Sequence, residues 1–316
     1  MATITLGIST CLLGEEVRWN GGHKLDRYLT DTLGQFVRYS PVCPEAECGL
    51  GVPREPQRLV GDPHAPRLVT VRTKKDYTSR MLRWARRRVR ELEGEELSGF
   101  IVKGASPSCG MKGVRVYNDQ GVPTASGAGF FVRRLMDHFP LLPVEDEGRL
   151  HDPSLRENFI ERVFTMKRWR DASRAVRHSR SSLVQFHTKH KLLILSHSPG
   201  HYRRMGRLVG QGGGMPISAL YQAYQQLLIE ALRLKASPAK HYNCLQHISG
   251  YFKKQLTSDS RQELFEVIEH YREGKVPLIV PLTLINHFER LVDEPYLQQQ
   301  YYLHPHPLEL QLRNHA

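Results

Sequence analysis

Three cysteines near the start of the chain sit in comparable surroundings. Each follows a strand-like run and stands beside glycine or proline. Thr3–Ser9 leads into Thr10-Cys11-Leu12-Leu13-Gly14, and Phe36–Tyr39 leads into Pro41-Val42-Cys43-Pro44-Glu45-Ala46-Glu47-Cys48-Gly49. Gly99–Lys103 leads into Gly104-Ala105-Ser106-Pro107-Ser108-Cys109-Gly110. Thiols placed this way bind zinc, hold an iron–sulfur cluster, or are unrelated buried groups, and buried free cysteine is common. Loops that follow strands, however, carry function more often than packing. Zinc fingers draw ligands from paired short spacings, and the chain has no C-x-x-C pair. Three dispersed thiolates suit a cubane cluster that leaves one iron without a protein ligand. An open iron acts as a Lewis acid or accepts a sulfur atom.

Such loops need strands to carry them. If the three preceding runs are parallel neighbours, their loops gather at the carboxyl edge of one sheet, where α/β proteins bind ligands. Leu25, Tyr28, Leu29, Thr32, Leu33 and Phe36 recur at helical spacing and predict the first crossover helix. Leu68–Val71 and Val114–Tyr117 read as further strands. Thr73-x-x-Asp76 reads as the start of a helix with Tyr77, Met81, Ala85, Val89 and Leu92 on one face. Arg83, Arg86, Arg87, Arg88 and Arg90 on its other face read as solvated charge. A last helix is expected over 127–138. This alternation predicts a three-layer α/β N-terminal domain with a mostly parallel sheet, over residues 1–145. Pro140–Gly148, proline-bounded and acidic, reads as the linker. Residues 146–316 show only helical periodicity, for example at Ile217, Leu220, Tyr221, Tyr224, Leu227 and Leu228, and predict an all-α domain.

With 316 residues there is room for two cores. No apolar run reaches about 18 residues and no signal-peptide pattern opens the chain, so the expectation is a cytoplasmic protein with no membrane role. Five cysteines, an odd number, argue against a disulfide framework.

The motifs Ile8-Ser9-x-Cys11-Leu12-Leu13-Gly14, Val17-Arg18-x-x-Gly21, Pro41-Val42-Cys43-Pro44-Glu45 with Gly49-Leu50 and Pro53-Arg54, and Lys103-x-x-Ser106-Pro107-Ser108-Cys109-Gly110 resemble those of the TudS thiouracil desulfidases. The resemblance implies a 4Fe-4S cluster held by Cys11, Cys43 and Cys109, with Cys48 as the competitor for the second position. The implied reaction is hydrolytic removal of sulfur from a thiolated pyrimidine. Glu45, two residues from a ligand cysteine, is the candidate acid/base, and the alternative is that it only orders its loop. Ser106 is the second catalytic candidate, and Ser108 could exchange roles with it. Arg18, Asn20, Lys103 and Ser108 are candidate substrate contacts.

Leu183-Val184-x-Phe186-His187-x-x-His190-Lys191, Ser196-His197-Ser198-Pro199 and Tyr202-Arg203-x-x-Gly206-x-Leu208-Val209 resemble the helical domain of longer members, the RudS type. For these the implied substrate is 4-thiouridine in tRNA, held by that domain. Charge agrees with this reading. Residues 149–213 hold 14 Lys+Arg against 4 Asp+Glu, whereas 1–148 hold 21 against 18. Lys167, Arg168, Arg170, Arg174, Arg177 and Arg180 recur at three- and four-residue steps, as one helix side would show. Lys189, Lys191, Arg203, Arg204 and Arg207 extend that surface, which fits phosphate contacts on folded RNA. The spacing of His187 and His190 would suit a metal, but no carboxylate or thiol cluster accompanies them. No protein partner is implied. The alternatives are desulfuration of free thiouracil or thionucleosides, or a non-catalytic nucleic-acid-binding protein with a structural or redox-sensing metal site.

Overall fold

The computed structural model describes residues 4–118, 120–174 and 179–314. The chain divides at Asp152/Pro153 into two compact units, later than the boundary expected at 145/146.

The first unit is built on a parallel sheet of β1 (Ile4–Ser9), β2 (Val37–Val42), β5 (Gly99–Val102) and β8 (Val144–Asp146), in the order β2-β1-β5-β8. Every residue of β1 and β5 is buried, as expected of strands covered on both faces. Gly7 is required in β1, because a Cβ there would lie 2.2 Å from the Phe100 ring. The helices α2 (Thr78–Glu91) and α3 (Phe130–His138) pack on one another. Trp84 meets Phe131 at 5.4 Å between ring centroids, and Phe131 meets Phe100 of the sheet at 5.8 Å. The short helix α1 (Pro44–Glu47) lies between β2 and α2 in sequence.

A second, mixed sheet joins β3 (Gln57–Val60), β4 (Arg67–Thr70), β6 (Val114–Tyr117) and β7 (Pro123–Gly127) in the order β4-β3-β6-β7. Two antiparallel pairs flank one parallel pair. The runs at 68–71 and 114–117 are strands as expected, but in this sheet rather than in the parallel one.

Four local expectations are corrected. Residues 25–36 form no α-helix, only a π turn at Tyr28–Thr32 and a 3-10 turn at Leu33–Gln35. Thr30 bonds back to the carbonyl of Asp26, competing with a regular helix, and Leu25 is left exposed. Thr73 is not a helix cap, because its amide and hydroxyl bind Glu55, and α2 begins five residues later with Asp76 accepting from the Thr78 amide at 2.8 Å. The last helix starts at Phe130, after the β7 strand. The stretch read as a linker contains β8, whose Val144 pairs opposite Phe100. An edge strand of three residues leaves almost no apolar signature.

The second unit is helical: α4 (Pro153–Arg174), α5 (Arg180–His197), α6 (Pro199–Gln211), α7 (Ile217–Arg233), α8 (Pro238–Ser249), α9 (Ser258–Arg272), α10 (Ile279–Val292) and α11 (Pro295–Gln298). Ser179, Ser198 and Thr257 cap α5, α6 and α9 by accepting a backbone N–H three residues on. Trp169, Phe186 and Tyr224 form one aromatic cluster, and Leu193, Leu245, Ile248, Ile285 and Phe288 belong to a second apolar core. Within this unit Arg313 is buried, donating to Glu157 at 3.1 Å and to Glu161 at 2.8 Å. Among the described residues no helix is long and apolar enough to cross a membrane.

Candidate active site

The registers Ser9↔Val42 and Ile8↔Ile101 bring the carboxyl ends of β1, β2 and β5 level. Three loops therefore leave the sheet side by side. After β1 the chain takes a 3-10 turn, Thr10–Leu13, which buries Cys11, and the Cys11 carbonyl accepts from the Lys24 amide at 2.8 Å. After β2, Cys43 precedes α1, and its amide donates to Glu47 Oε1 at 2.7 Å. After β5, Ser106 Oγ accepts from the Cys109 amide at 3.1 Å and the Ser106 carbonyl accepts from the Gly110 amide at 2.9 Å, which closes the loop around Pro107. The amides of Phe130 and Phe131, at the start of α3, donate to the carbonyls of Pro107 and Ser108. This approach needs glycine at 129, where a Cβ would lie 2.6 Å from the Ser108 backbone.

The loops enclose a cavity of about 370 Å³ that Cys11, Cys43 and Cys109 all line. Cys48 does not line it. Its thiol donates to the Glu45 carbonyl at 3.4 Å and packs in the core with Leu59 and Met81. Burial pushes the thiols of Cys11 and Cys48 up to about 11, and it raises those of Cys43 and Cys109 as well. At Cys11 the charges of Lys103 and Arg18 work against that rise. The fifth cysteine, Cys244, is buried in the helical unit and donates to the Leu192 carbonyl.

Glu45 and Ser108 also line the cavity. Ser108 Oγ donates to Glu45 Oε1 at 2.7 Å and lies 3.0 Å from Ser106 Oγ. Of the two candidate serines, Ser108 makes the contact with the carboxylate, while Ser106 organises the loop. Glu45 Oε2 is ion-paired with Arg54, whose side chain is 6% exposed. Arg54 also donates to the carbonyls of Val17 and Gly51, and its amide donates to the Trp19 carbonyl at 2.7 Å. One guanidinium thus joins the cysteine loop to the Val17–Trp19 turn. Lys103 lines the cavity and pairs with Glu147, whose other oxygen accepts from the Gly104 amide at 2.6 Å. Arg18 lines the cavity too. Asn20 does not; its side-chain oxygen accepts from the Gly22 amide at 3.3 Å and closes a turn beside the cavity residue Trp19.

Two functional side chains were not singled out from sequence. Trp19 lines the cavity while 45% exposed, and Arg54 lines it while paired with Glu45. The signal for Arg54 was present: an acid and a base nine residues apart in one glycine- and proline-bounded loop.

In the helical unit the basic run is divided between two helices. It spans the end of α4 and the start of α5, and Arg177 lies outside the described residues. Arg168 donates to His190, Thr165 and the Pro305 carbonyl, and lies 4.1 Å over the Tyr301 ring. Burial pushes it down to about 10. Arg180 donates to the carbonyls of Gly212, Gly213 and Met215. Both guanidinia bond within the protein, Arg168 beside the Tyr301 ring and Arg180 at an exposed position. Lys167 pairs with Asp171 at 2.5 Å, Lys191 lies 5.3 Å over Tyr296, Arg204 pairs with Glu230 at 3.9 Å, and Arg170 and Arg174 have partners within the protein. Lys189 is half-buried, while Arg203 and Arg207 are exposed. His187 bonds Tyr224 and His190 bonds the Phe186 carbonyl, so these two histidines serve the core.

Comparison with known proteins agrees with this division. The 2-thiouracil desulfurase family matches residues 6–147, and a family described as a protein of unknown function (DUF1722) matches residues 191–307. The uncharacterized protein YbgA of Escherichia coli (strain K12) is 34% identical over 137 residues, 43% of this chain and 81% of YbgA. The uncharacterized protein YbbK of Bacillus subtilis (strain 168) is 28% identical over 108 residues, 33% of this chain and 71% of YbbK. A solved [4Fe-4S]-dependent thiouracil desulfidase, TudS, is 31% identical, matching 48% of this chain and 95% of that one with a TM-score of 0.40. With a desulfurase region at residues 6–147 and a DUF1722 region after it, the chain belongs to the 2-thiouracil desulfurase family of desulfidases.

Proposed function

We propose that this protein is a [4Fe-4S]-dependent desulfidase that converts 4-thiouridine in tRNA to uridine and releases sulfide. The observation that carries this reading is the meeting of Cys11, Cys43 and Cys109, from three parallel strand ends, in one cavity with the Glu45–Ser108 pair.

The donor set fits a cluster. A tetrahedral zinc site with bonds of about 2.3 Å would draw its sulfurs to within about 3.8 Å of one another. Among the described residues the three thiols do not form a group of ligand atoms within 4.8 Å, yet they line one cavity of about 370 Å³. Cys11, Cys43 and Cys109 would hold the cluster, and metal coordination would supply the thiolates that burial alone disfavours. When bound, the cluster supplies an iron with no protein ligand, a Lewis acid for the thiocarbonyl sulfur.

The residues of the chain do the rest. Glu45 takes a proton from the water that attacks the thiocarbonyl carbon, and Ser108 Oγ, bonded to Glu45 Oε1, fixes that carboxylate. The C–O bond forms as the C=S double bond opens, the remaining C–S bond then breaks, sulfide leaves as HS⁻ with the proton that Glu45 returns, the new hydroxyl loses its proton to solvent to restore the carbonyl, and no net electrons move. Arg54 balances the Glu45 charge from the side away from Ser108. Trp19 offers an aromatic face to the pyrimidine ring, and Arg18 and Lys103 supply positive charge along the cavity wall. Lys167, Arg170, Arg174, Lys189, Lys191, Arg203, Arg204 and Arg207 are the remaining described candidates for phosphate contacts in the helical unit.

The test is full-length protein, purified anaerobically and reconstituted, incubated with thiolated tRNA beside a Cys109→Ala control. Nucleoside mass spectrometry should show 4-thiouridine converted to uridine by the wild type alone. A fully loaded protein that leaves tRNA untouched but desulfurises free 2-thiouracil would establish the second reading, a free-base desulfidase. That reading is favoured by the cavity itself, every lining residue of which belongs to the first unit. Inactivity on both substrates would remove the enzyme assignment.

A further inference from the structure

The arginines of α2, which the sequence presents as one solvated face, fall into two sets. Arg88 pairs with Glu47, Glu91 and Glu95, Arg87 pairs with Glu91, and Arg80 donates to the carbonyls of Cys48 and Gly49. Arg83, Arg86 and Arg90 are exposed, and among the described residues none of them makes a hydrogen bond or ion pair. Their spacing of three and four residues puts them on one side of the helix.

Arg86 also lines a cleft of about 370 Å³ between α2, α3 and the 64–67 turn. Arg67, Arg133 and Arg134 line the same cleft, over a floor that includes Leu82 and Phe130, and Asp137 is the one carboxylate there. Arg133 donates to the carbonyls of His64 and Pro63, which fixes its guanidinium without neutralising it. Four arginines from three separate segments thus line one concavity. Like charges brought together repel, and a merely solvated helix face does not need them to converge.

We propose that this cleft docks the sugar-phosphate backbone of RNA, so that the catalytic unit grips the substrate strand itself; the inference rests on the RNA reading above. Guanidinium forks bind phosphate oxygens bidentately, and most protein contacts that position a nucleic acid are of this kind. The row Arg83, Arg86, Arg90 runs about 10 Å along α2 at 1.5 Å per residue, the length of about three stacked nucleotides. The cleft is coupled to the chemistry through α3. The first turn of that helix holds the Pro107 and Ser108 carbonyls of the cysteine loop, and Arg133 and Arg134 follow within its next turn. A strand held by these arginines is therefore registered against the loop that carries Ser108 and Cys109.

The test compares the full-length wild type with R86Q/R134Q in three measurements: KM for thiolated tRNA, the salt dependence of tRNA binding, and turnover of free 2-thiouracil. The expected result is a rise in KM for tRNA of tenfold or more and a salt slope smaller by about 2, with thiouracil turnover unchanged. R86K/R134K, which keeps the charge but not the fork, should restore the salt slope and only part of the affinity. An unchanged KM and slope would overturn the proposal, and so would an equal loss of thiouracil turnover, which would place these residues in the catalytic fold instead. A wild type inactive on tRNA would remove the RNA substrate, while its tRNA-binding slope would still judge the cleft.

Discussion

Ser108 Oγ donates to Glu45 Oε1 at 2.7 Å, across 63 positions of sequence. The two residues lie on loops that follow different strands, and the contact makes a serine beside one cysteine a positioning group for the carboxylate beside another. Glu45→Gln should cut turnover of free 2-thiouracil by about 10²–10⁴-fold, the usual worth of a general base. Iron and acid-labile sulfide content should be unchanged. Ser108→Ala should lower kcat by a smaller factor with little change in KM. Equal loss of iron and activity in Glu45→Gln would show a structural role only.

The cavity separates Cys43 from Cys48. Cys43→Ser should lose most of the iron and the visible charge-transfer absorbance after reconstitution. Cys48→Ser should keep both, at a modest stability cost, because its thiol faces the core with Leu59 and Met81. The opposite outcome would reassign the second ligand.

Arg54 and Glu45 form an ion pair whose side chains are only 6% and 16% exposed. Removing one partner of a buried pair strands the other charge and costs about 3–5 kcal/mol. Arg54→Leu should therefore destabilise the first unit by that order, and Arg54→Leu with Glu45→Gln should recover part of the loss without recovering activity. The non-additivity is read from thermal unfolding of the four proteins in a double-mutant cycle.

The helical unit should weaken in mild acid. Burial pushes His187 and His306 down to about 4, with Lys191 and Arg313 adding to the effect, and burial with Arg168 drives His190 well below its usual range. The unfolded chain takes up these protons near pH 6.5, whereas folded His187 and His306 take them up only near 4 and folded His190 well below its usual range, so this stability is present above 6.5 and is lost as pH falls towards 4. Each of the two histidines shifted to about 4 contributes at most about 3 kcal/mol. Glu157, pushed up to about 8 by burial and Glu161, acts in the opposite sense but is one group against three. Hydrogen exchange of α5 amides, corrected for intrinsic rates, should show the opening free energy falling as pH drops from 6.5 towards 4. Protection unchanged down to pH 4.5 would mean these rings are not held neutral.

The sequence reached the catalytic unit through its strands. The run around Leu6 and Ile8 is fully buried in the structure, and a continuous apolar strand followed by a cysteine needs a sheet edge to present it. Elements without a strong period were missed or misplaced. In the expected helix at 25–36 the Thr30 hydroxyl bonds back to the Asp26 carbonyl and competes with a regular helix, and β8 carries one strong apolar residue in three. The separate mixed sheet was invisible because periodicity reports which face a strand buries, not which strand it pairs with.

By itself the sequence determined which side chains with chemistry follow which strands, because residue order and apolar patterning are local properties. Only the tertiary structure decided that Cys43 rather than Cys48 lines the cavity, that Ser108 rather than Ser106 meets Glu45, and that Arg168 packs on Tyr301 while Arg86 and Arg134 face solvent. Direction is set by what lies across the gap. A guanidinium three residues from another looks the same in sequence whether it faces solvent or a tyrosine ring, and burial with a distant partner is what tells them apart.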